Sequence, residues 1–127
     1  MVKSKILITI GMVLLVLIPI VIFAMVSVKP AKPGQYDKLA QCLAGKGVKM
    51  YGAYWCSHCQ AQKKAFGTSF KYIKYVECVL AGGQGQTKEC EEAGIKGYPT
   101  WVFGGGERLE GEVSIEQLAE KSGCEIW

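Results

Sequence analysis

The hydrophobic pattern changes character once along the chain. From Ile6 to Val28 the 23 residues ILITIGMVLLVLIPIVIFAMVSV carry no charge and show no alternation. As a helix this run is about 34 Å long, enough to cross a hydrocarbon core of about 30 Å. It predicts a transmembrane anchor over 6–28 behind a short tail, 1–5. Pro19 predicts a kink, tolerable where neighbouring groups satisfy the freed carbonyl. A cleaved signal peptide is the alternative, but its apolar region is usually about 7–15 residues with a small-residue cleavage site behind it. This run is longer, no Ala-x-Ala triplet follows, and no cysteine stands where a lipoprotein anchor needs one. KPAKPGQ, 29–35, then reads as a stiff linker, because Pro30 and Pro33 lack amide donors and disfavour helix in the residue before each.

Beyond the linker the pattern becomes periodic. Tyr36, Leu39, Ala40 and Leu43 recur at helical spacing, and Gly45 and Gly47 can end that helix. VKMYGAYW, 48–55, is an apolar strand leading straight into a helical stretch, SHCQAQKKAFG. KYIKYVECVL, 71–80, is a second strand, rich in aromatic and β-branched residues. Thr87 is placed to cap a brief helix, KECEEA, that stops at Gly94. PTWVF, Gly104 to Gly106 and ERLEGE read as a hairpin. Ser114 with Gln117 makes a capping box for a last helix carrying Ile115, Leu118 and Ala119. The order α-β-α-β-α-β-β-α predicts an α/β domain over 36–127, a mixed sheet flanked by helices on both faces.

Charge adds one exclusion. Of the 15 basic residues, Lys3, Lys5, Lys29 and Lys32 flank the apolar run, which leaves 11 against 11 acidic residues and puts the net +4 at the membrane flanks. Nothing in the periodic part suggests a basic nucleic-acid surface. With two lysines on each side, the positive-inside rule does not set the orientation. Cysteine content does. Residues 34–127 hold all six cysteines, a density natural in an oxidising compartment and useful to a domain this small. The expectation is N-terminus cytoplasmic, domain extracytoplasmic.

Cys56 and Cys59 stand three positions apart at the predicted strand-to-helix junction, with the only histidine, His58, between them. A zinc ribbon needs a second close pair, whereas Cys78 and Cys90 are 12 apart and Cys42 and Cys124 sit near the domain's two ends, so half a site is visible and no metal is expected. A purely structural Cys56–Cys59 bridge closes too short a loop to remove much unfolded-chain entropy. A redox pair fits: the N-terminus of a helix stabilises a thiolate at Cys56, and a protonated or donating His58 would add to that. His58 has a plainer reading as a solvated helix-start residue. Trp55 reads either as a core wedge below the helix or as a docking group for partners.

WCSHC after an apolar strand, with GYPTW some forty residues later, resembles the active-site pair and cis-proline loop of the thioredoxin superfamily. The strings MYGAYWC, YVEC and GIKGYPTW are similar to the thioredoxin-like domain fused to, or encoded beside, bacterial and archaeal homologues of vitamin K epoxide reductase. The resemblance runs from about Tyr36 to Cys124. It implies a thioredoxin-like fold without a bound cofactor. It makes Cys56 the exposed attacking sulfur and Cys59 the buried resolving one, with Trp55, Ser57 and His58 in support. It makes Pro99 a cis-proline facing the pair, and the Tyr98 backbone a strand-like edge for substrate chains. Ser57 stands where close relatives usually have proline, which bears on the potential of the pair. Met50 stands where many relatives hold a buried acid, which would leave proton handling to water or to His58.

With Cys56 and Cys59 set apart, four cysteines leave three pairings. Cys78–Cys90 is expected because it closes a local loop between adjoining elements, leaving Cys42–Cys124 to tie the first helix of the domain to the last. The reading that follows is a membrane-anchored oxidoreductase that oxidises protein thiols and passes electrons to a vitamin K epoxide reductase-like quinone reductase in the membrane. The alternatives are a reductase or isomerase fed with electrons from the cytosolic side, and a binding module for unfolded chains whose cysteines are structural.

Overall fold

The computed structural model describes residues 1–26 and 34–127, apart from the side chains of residues 21–26. Ser27 and Val28, which end the expected anchor, and most of the expected linker, Lys29 to Pro33, lie outside the described residues. The chain divides into two units, Met1–Lys32 and Pro33–Trp127, each described by itself.

The first unit contains helix α1, Val2–Val26, with Pro19 inside it. The helix begins earlier than the apolar run because Lys3, Ser4 and Lys5 join its first turn. Its segment Val2–Ile20 is long and apolar enough to cross a membrane, and none of it is buried against protein. Apolar side chains lie on all of its sides, so no single stripe is set aside for a protein partner.

In the second unit, α2 (Asp37–Gly45) buries Leu39, Ala40 and Leu43 along one stripe. Gly47, at φ 75°, turns the chain out of it into β1 (Lys49–Gly52). Next come α3 (Ser57–Phe66), a 3-10 helix Gly67–Tyr72, β2 (Lys74–Glu77), α4 (Lys88–Glu92), β3 (Thr100–Val102), β4 (Arg108–Glu110) and α5 (Ile115–Ser122). The element order is the one read from the pattern, with the 3-10 turn added.

The four strands form one mixed sheet in the order β2-β1-β3-β4. β1 runs parallel to β2, pairing Met50 with Tyr75 and Gly52 with Glu77, and antiparallel to β3. β3 and β4 are the arms of a hairpin. Side chains alternate across β1. Met50 faces the larger core with Leu39, Leu43, Phe66, Trp101 and Leu118, while Tyr51 faces a smaller one with Cys78, Cys90 and Ile95. Both faces of the central strand are therefore buried.

The strands are shorter than their patterns. β1 stops at Gly52, and the amide of Cys56 turns back to bond the Ala53 carbonyl, which takes Tyr54 and Trp55 out of the ladder. β2 starts only at Lys74, because Lys71 and Tyr72 are wound into the 3-10 turn that Ile73 closes on the Phe70 carbonyl. Ser114 and Gln117 form the reciprocal capping box of α5. Thr87 occupies the N-cap position of α4 without capping it; its hydroxyl donates instead to the Glu77 carbonyl, 3.4 Å away.

Two disulfides cross-link the unit. Cys42–Cys124 joins α2 to the residue just past α5 across a sequence separation of 82, and Cys78–Cys90 joins the end of β2 to α4 across 12.

Candidate active site

The strand-to-helix junction sets the two remaining cysteines, both free thiols, at the edge of the core. Cys56 has extended backbone angles and is the N-cap of α3. Serine, threonine or aspartate usually caps a helix through a side-chain oxygen. Here a sulfur does it: the Cys59 amide donates to Cys56 Sγ at 3.3 Å. An N–H is thus aimed at the sulfur from a helix start, the end that carries a partial positive charge. Lys63 and Lys64 lie in the last turn of α3, where cations complement the other end.

Cys56 is 7% exposed and Cys59 0%. Cys56, expected to be the exposed one, is thus nearly enclosed; it lines a cleft of about 430 Å³ together with Trp55, Ser57, His58 and Tyr98. The Cys59 thiol is pushed up to about 12 by burial first and then by its hydrogen bond with Cys56; a hydrogen bond with the Ala53 backbone and the positive charge of Lys63 oppose this. One sulfur borders the cleft and accepts from a helix-start amide, while the other is enclosed and its ionised form is disfavoured by burial. That division suits an attacking and a resolving thiol.

The rim has defined contacts. The Tyr98–Pro99 peptide is cis, and the Cys56 thiol donates to the Tyr98 carbonyl at 3.6 Å. Trp55 is 60% exposed and meets the Tyr98 ring edge-on at 6.1 Å. The core-wedge reading of Trp55 is therefore overturned, because the chain turns at Ala53 and leaves the indole outside. Ser57 is exposed in the first turn of α3. His58 is exposed as well, but it is not simply solvated: its Nδ1 lies 2.6 Å from Glu112 Oε1. Cys42, Cys78, Cys90 and Cys124 take no part in the cleft, being held in the two disulfides.

Four neighbours of the pair carry no signal in a motif. Glu112 is 54 residues from His58 and meets it only through the fold. Gln62, 2% exposed, takes the Val113 amide on Oε1 at 2.8 Å and gives Nε2 to the Val113 carbonyl at 3.0 Å, while Trp101 Nε1 donates to the same Oε1 at 3.4 Å. It fixes α3 against β3 and the segment before α5. Tyr75 and Glu77 share the face of β2 that looks toward Met50, and the Tyr75 hydroxyl donates to Glu77 Oε2 at 2.8 Å. Two-residue alternation in YVE was the available clue, but only the pairing with β1 says which face it is. Among the described residues no cluster of ligating side chains could hold a metal ion.

No family model matches the chain. Among curated proteins it is 45% identical over 92 residues to the thiol-disulfide oxidoreductase LTO1 of Arabidopsis thaliana, an alignment covering 69% of this chain and 24% of that protein. The chain spans about a quarter of the length of this relative. A homologue named for thiol-disulfide chemistry supports a redox reading of the free cysteine pair.

Proposed function

We propose that the chain is a membrane-anchored thiol-disulfide oxidoreductase whose second unit lies outside the cytoplasm and oxidises protein thiols. The observation that carries this is the bond from the Cys59 amide to Cys56 Sγ at the start of α3. In the oxidised state, a substrate thiolate attacks Cys56 Sγ and forms a mixed disulfide as the Cys56–Cys59 bond breaks. Cys59 leaves as a thiolate and takes up a proton. A second substrate thiolate then attacks the substrate sulfur of the mixed disulfide and expels Cys56 as a thiolate. Two electrons have passed from substrate to pair. The departing Cys56 sulfur is met by the Cys59 amide at the start of α3.

Trp55, Ser57, His58 and Tyr98 line the approach, and the backbone at Tyr98 and the cis-linked Pro99 offers the edge for substrate chains. The apolar α1 supports the anchor, and two disulfides support an oxidising compartment. Reoxidation falls to a vitamin K epoxide reductase-like quinone reductase in the same membrane, a partner that rests on the sequence resemblance alone. Trapping tests the assignment of the sulfurs. Cys59→Ala should accumulate substrates as mixed disulfides on Cys56, visible as reductant-sensitive bands, and Cys56→Ala should accumulate none. Adducts on Cys59 would reverse the assignment; none in either variant would refute thiol exchange.

A further inference from the structure

Cys59 has a proton problem. To close the pair it must attack as a thiolate, yet it is fully buried and its thiol is pushed up to about 12. At neutral pH the thiol would then stay almost wholly protonated without a local base. His58 is not that base: its exposed ring is engaged with Glu112.

The side of Cys59 facing the sheet holds an alternative. A Cβ built on Gly52 would stand 3.0 Å from Cys59 Sγ, 3.1 Å from the Tyr75 hydroxyl and 2.9 Å from Tyr75 Cε2. Thiol and phenol thus both come within about 3 Å of one point beside Gly52, a close approach that the missing side chain of residue 52 permits. On its far side the Tyr75 hydroxyl donates to Glu77 Oε2 at 2.8 Å. Glu77 Oε1 accepts from the amides of Tyr54 and Val79 at 3.2 and 3.1 Å, which fixes the carboxylate. Glu77 is half-buried, so its proton exchanges with solvent. Lys63 Nζ lies 3.8 Å from the centre of the Tyr75 ring. The titratable groups near Cys59 are Cys56 and Lys63 from α3 and its cap and Tyr75 from β2, with Glu77 behind Tyr75.

The geometry points to Tyr75 and Glu77 as a proton relay that serves Cys59, a role that rests on the redox reading above. As Cys59 gives its proton to the Tyr75 oxygen, the Tyr75 proton passes to Glu77 Oε2. The Cys59 thiolate attacks Cys56 Sγ in the mixed disulfide, the bond to the partner sulfur breaks, and the partner leaves as a thiolate. The partner is reduced by two electrons and the pair is oxidised. When the pair is opened instead, Cys59 departs as a thiolate and is reprotonated along the same path. Tyr75 is neutral before and after. Burial, then Glu77, push its phenol up, so it passes a proton on rather than resting as phenolate.

Reduced full-length protein in detergent, mixed with excess oxidised glutathione, separates the steps. Cys56 releases one glutathione on forming the adduct; Cys59 releases the second on closing the pair. Tyr75→Phe and Glu77→Gln should leave the first release within about twofold of wild type and slow the second about tenfold or more at pH 7. In both variants the second rate should then climb about tenfold per pH unit between 7 and 9 as hydroxide takes over, steeper than wild type. Glu77→Asp, which keeps the carboxylate, should restore part of the rate. Removing a negative charge near a thiol would by electrostatics alone speed its ionisation, so slowing by Glu77→Gln singles out the base. Closure at the wild-type rate with the wild-type pH profile in both variants would overturn the relay. Equal slowing of both releases would mark a structural role and overturn it too. Failure of wild-type protein to form any adduct on Cys56 would instead bring down the redox reading, and the relay with it.

Discussion

Gly52→Ala adds one methyl where Tyr75 and Cys59 approach β1. It lands 2.9 Å from a Tyr75 ring carbon and 3.0 Å from Cys59 Sγ, against an optimum of about 3.5–4.0 Å between carbons. The ring must therefore withdraw by roughly 0.6–1 Å. Overpacking of this kind costs about 1–3 kcal/mol. Alanine returns about 0.5–1 kcal/mol, because it loses less conformational freedom than glycine and Gly52 is not among the glycines at positive φ. The net is a destabilisation of up to about 2.5 kcal/mol. For a unit the size of Pro33–Trp127, each kcal/mol shifts Tm by about 4–8 °C, so a fall of up to roughly 20 °C is expected. Thermal unfolding of the full chain, followed by circular dichroism with both disulfides intact, measures it. Gly45→Ala is the internal contrast. Nothing lies within 4 Å of its added Cβ, and at the end of α2 it should raise stability by up to about 1 kcal/mol. A Gly52→Ala protein that melts at or above the wild-type temperature would refute the close packing of Tyr75 and Cys59 over β1.

The two cross-links should differ in worth. Chain-entropy arithmetic gives about 4.5 kcal/mol for Cys42–Cys124 and about 2.8 kcal/mol for Cys78–Cys90, from separations of 82 and 12. Replacing each in turn by an Ala–Val pair, which refills the sulfur volume, and unfolding in urea should show the larger loss for Cys42–Cys124; the reverse order would contradict it. The raised Cys59 thiol fixes a pH dependence. Folded protein keeps that proton up to about 12, while the unfolded chain releases it near 9.0, so this contribution is intact below pH 9 and is lost as pH rises toward 12. Urea unfolding between pH 8 and 10.5 should therefore show wild type losing stability relative to Cys59→Ala above pH 9; parallel curves would place Cys59 in a more polar setting.

What was legible in the sequence was local. The buried stripe of α2, the capping box of α5 and the junction that puts Cys56 at a helix start each follow from neighbours within a turn or two, where spacing alone decides geometry. Strand ends were less legible. Aromatic and β-branched residues suit a ladder and a 3-10 turn alike, so KYIKYVECVL gave no sign that Lys71 and Tyr72 would wind and only Lys74–Glu77 would pair. Thr87 shows the same limit for caps: its hydroxyl could accept from a helix amide or donate to a strand carbonyl, and the nearness of β2 decided between them. The surroundings of the sulfur pair were least legible. Glu112, Gln62 and the Tyr75–Glu77 pair reach it from other elements through the register of the sheet, which no short window contains.

The clasp between Cys42 and Cys124 also sets how the second unit bears force. A pull applied upstream of Cys42 and downstream of Cys124 is carried from one flank to the other through the covalent bond. The sheet, α3 and the Cys56–Cys59 pair all lie inside the bypassed loop and carry no tension while the bond is closed. Only the start of α2 and the residues past Cys124 can be drawn out. A machine that unfolds proteins by traction from beyond Cys124 would be stopped at that residue until a reductant opened the clasp.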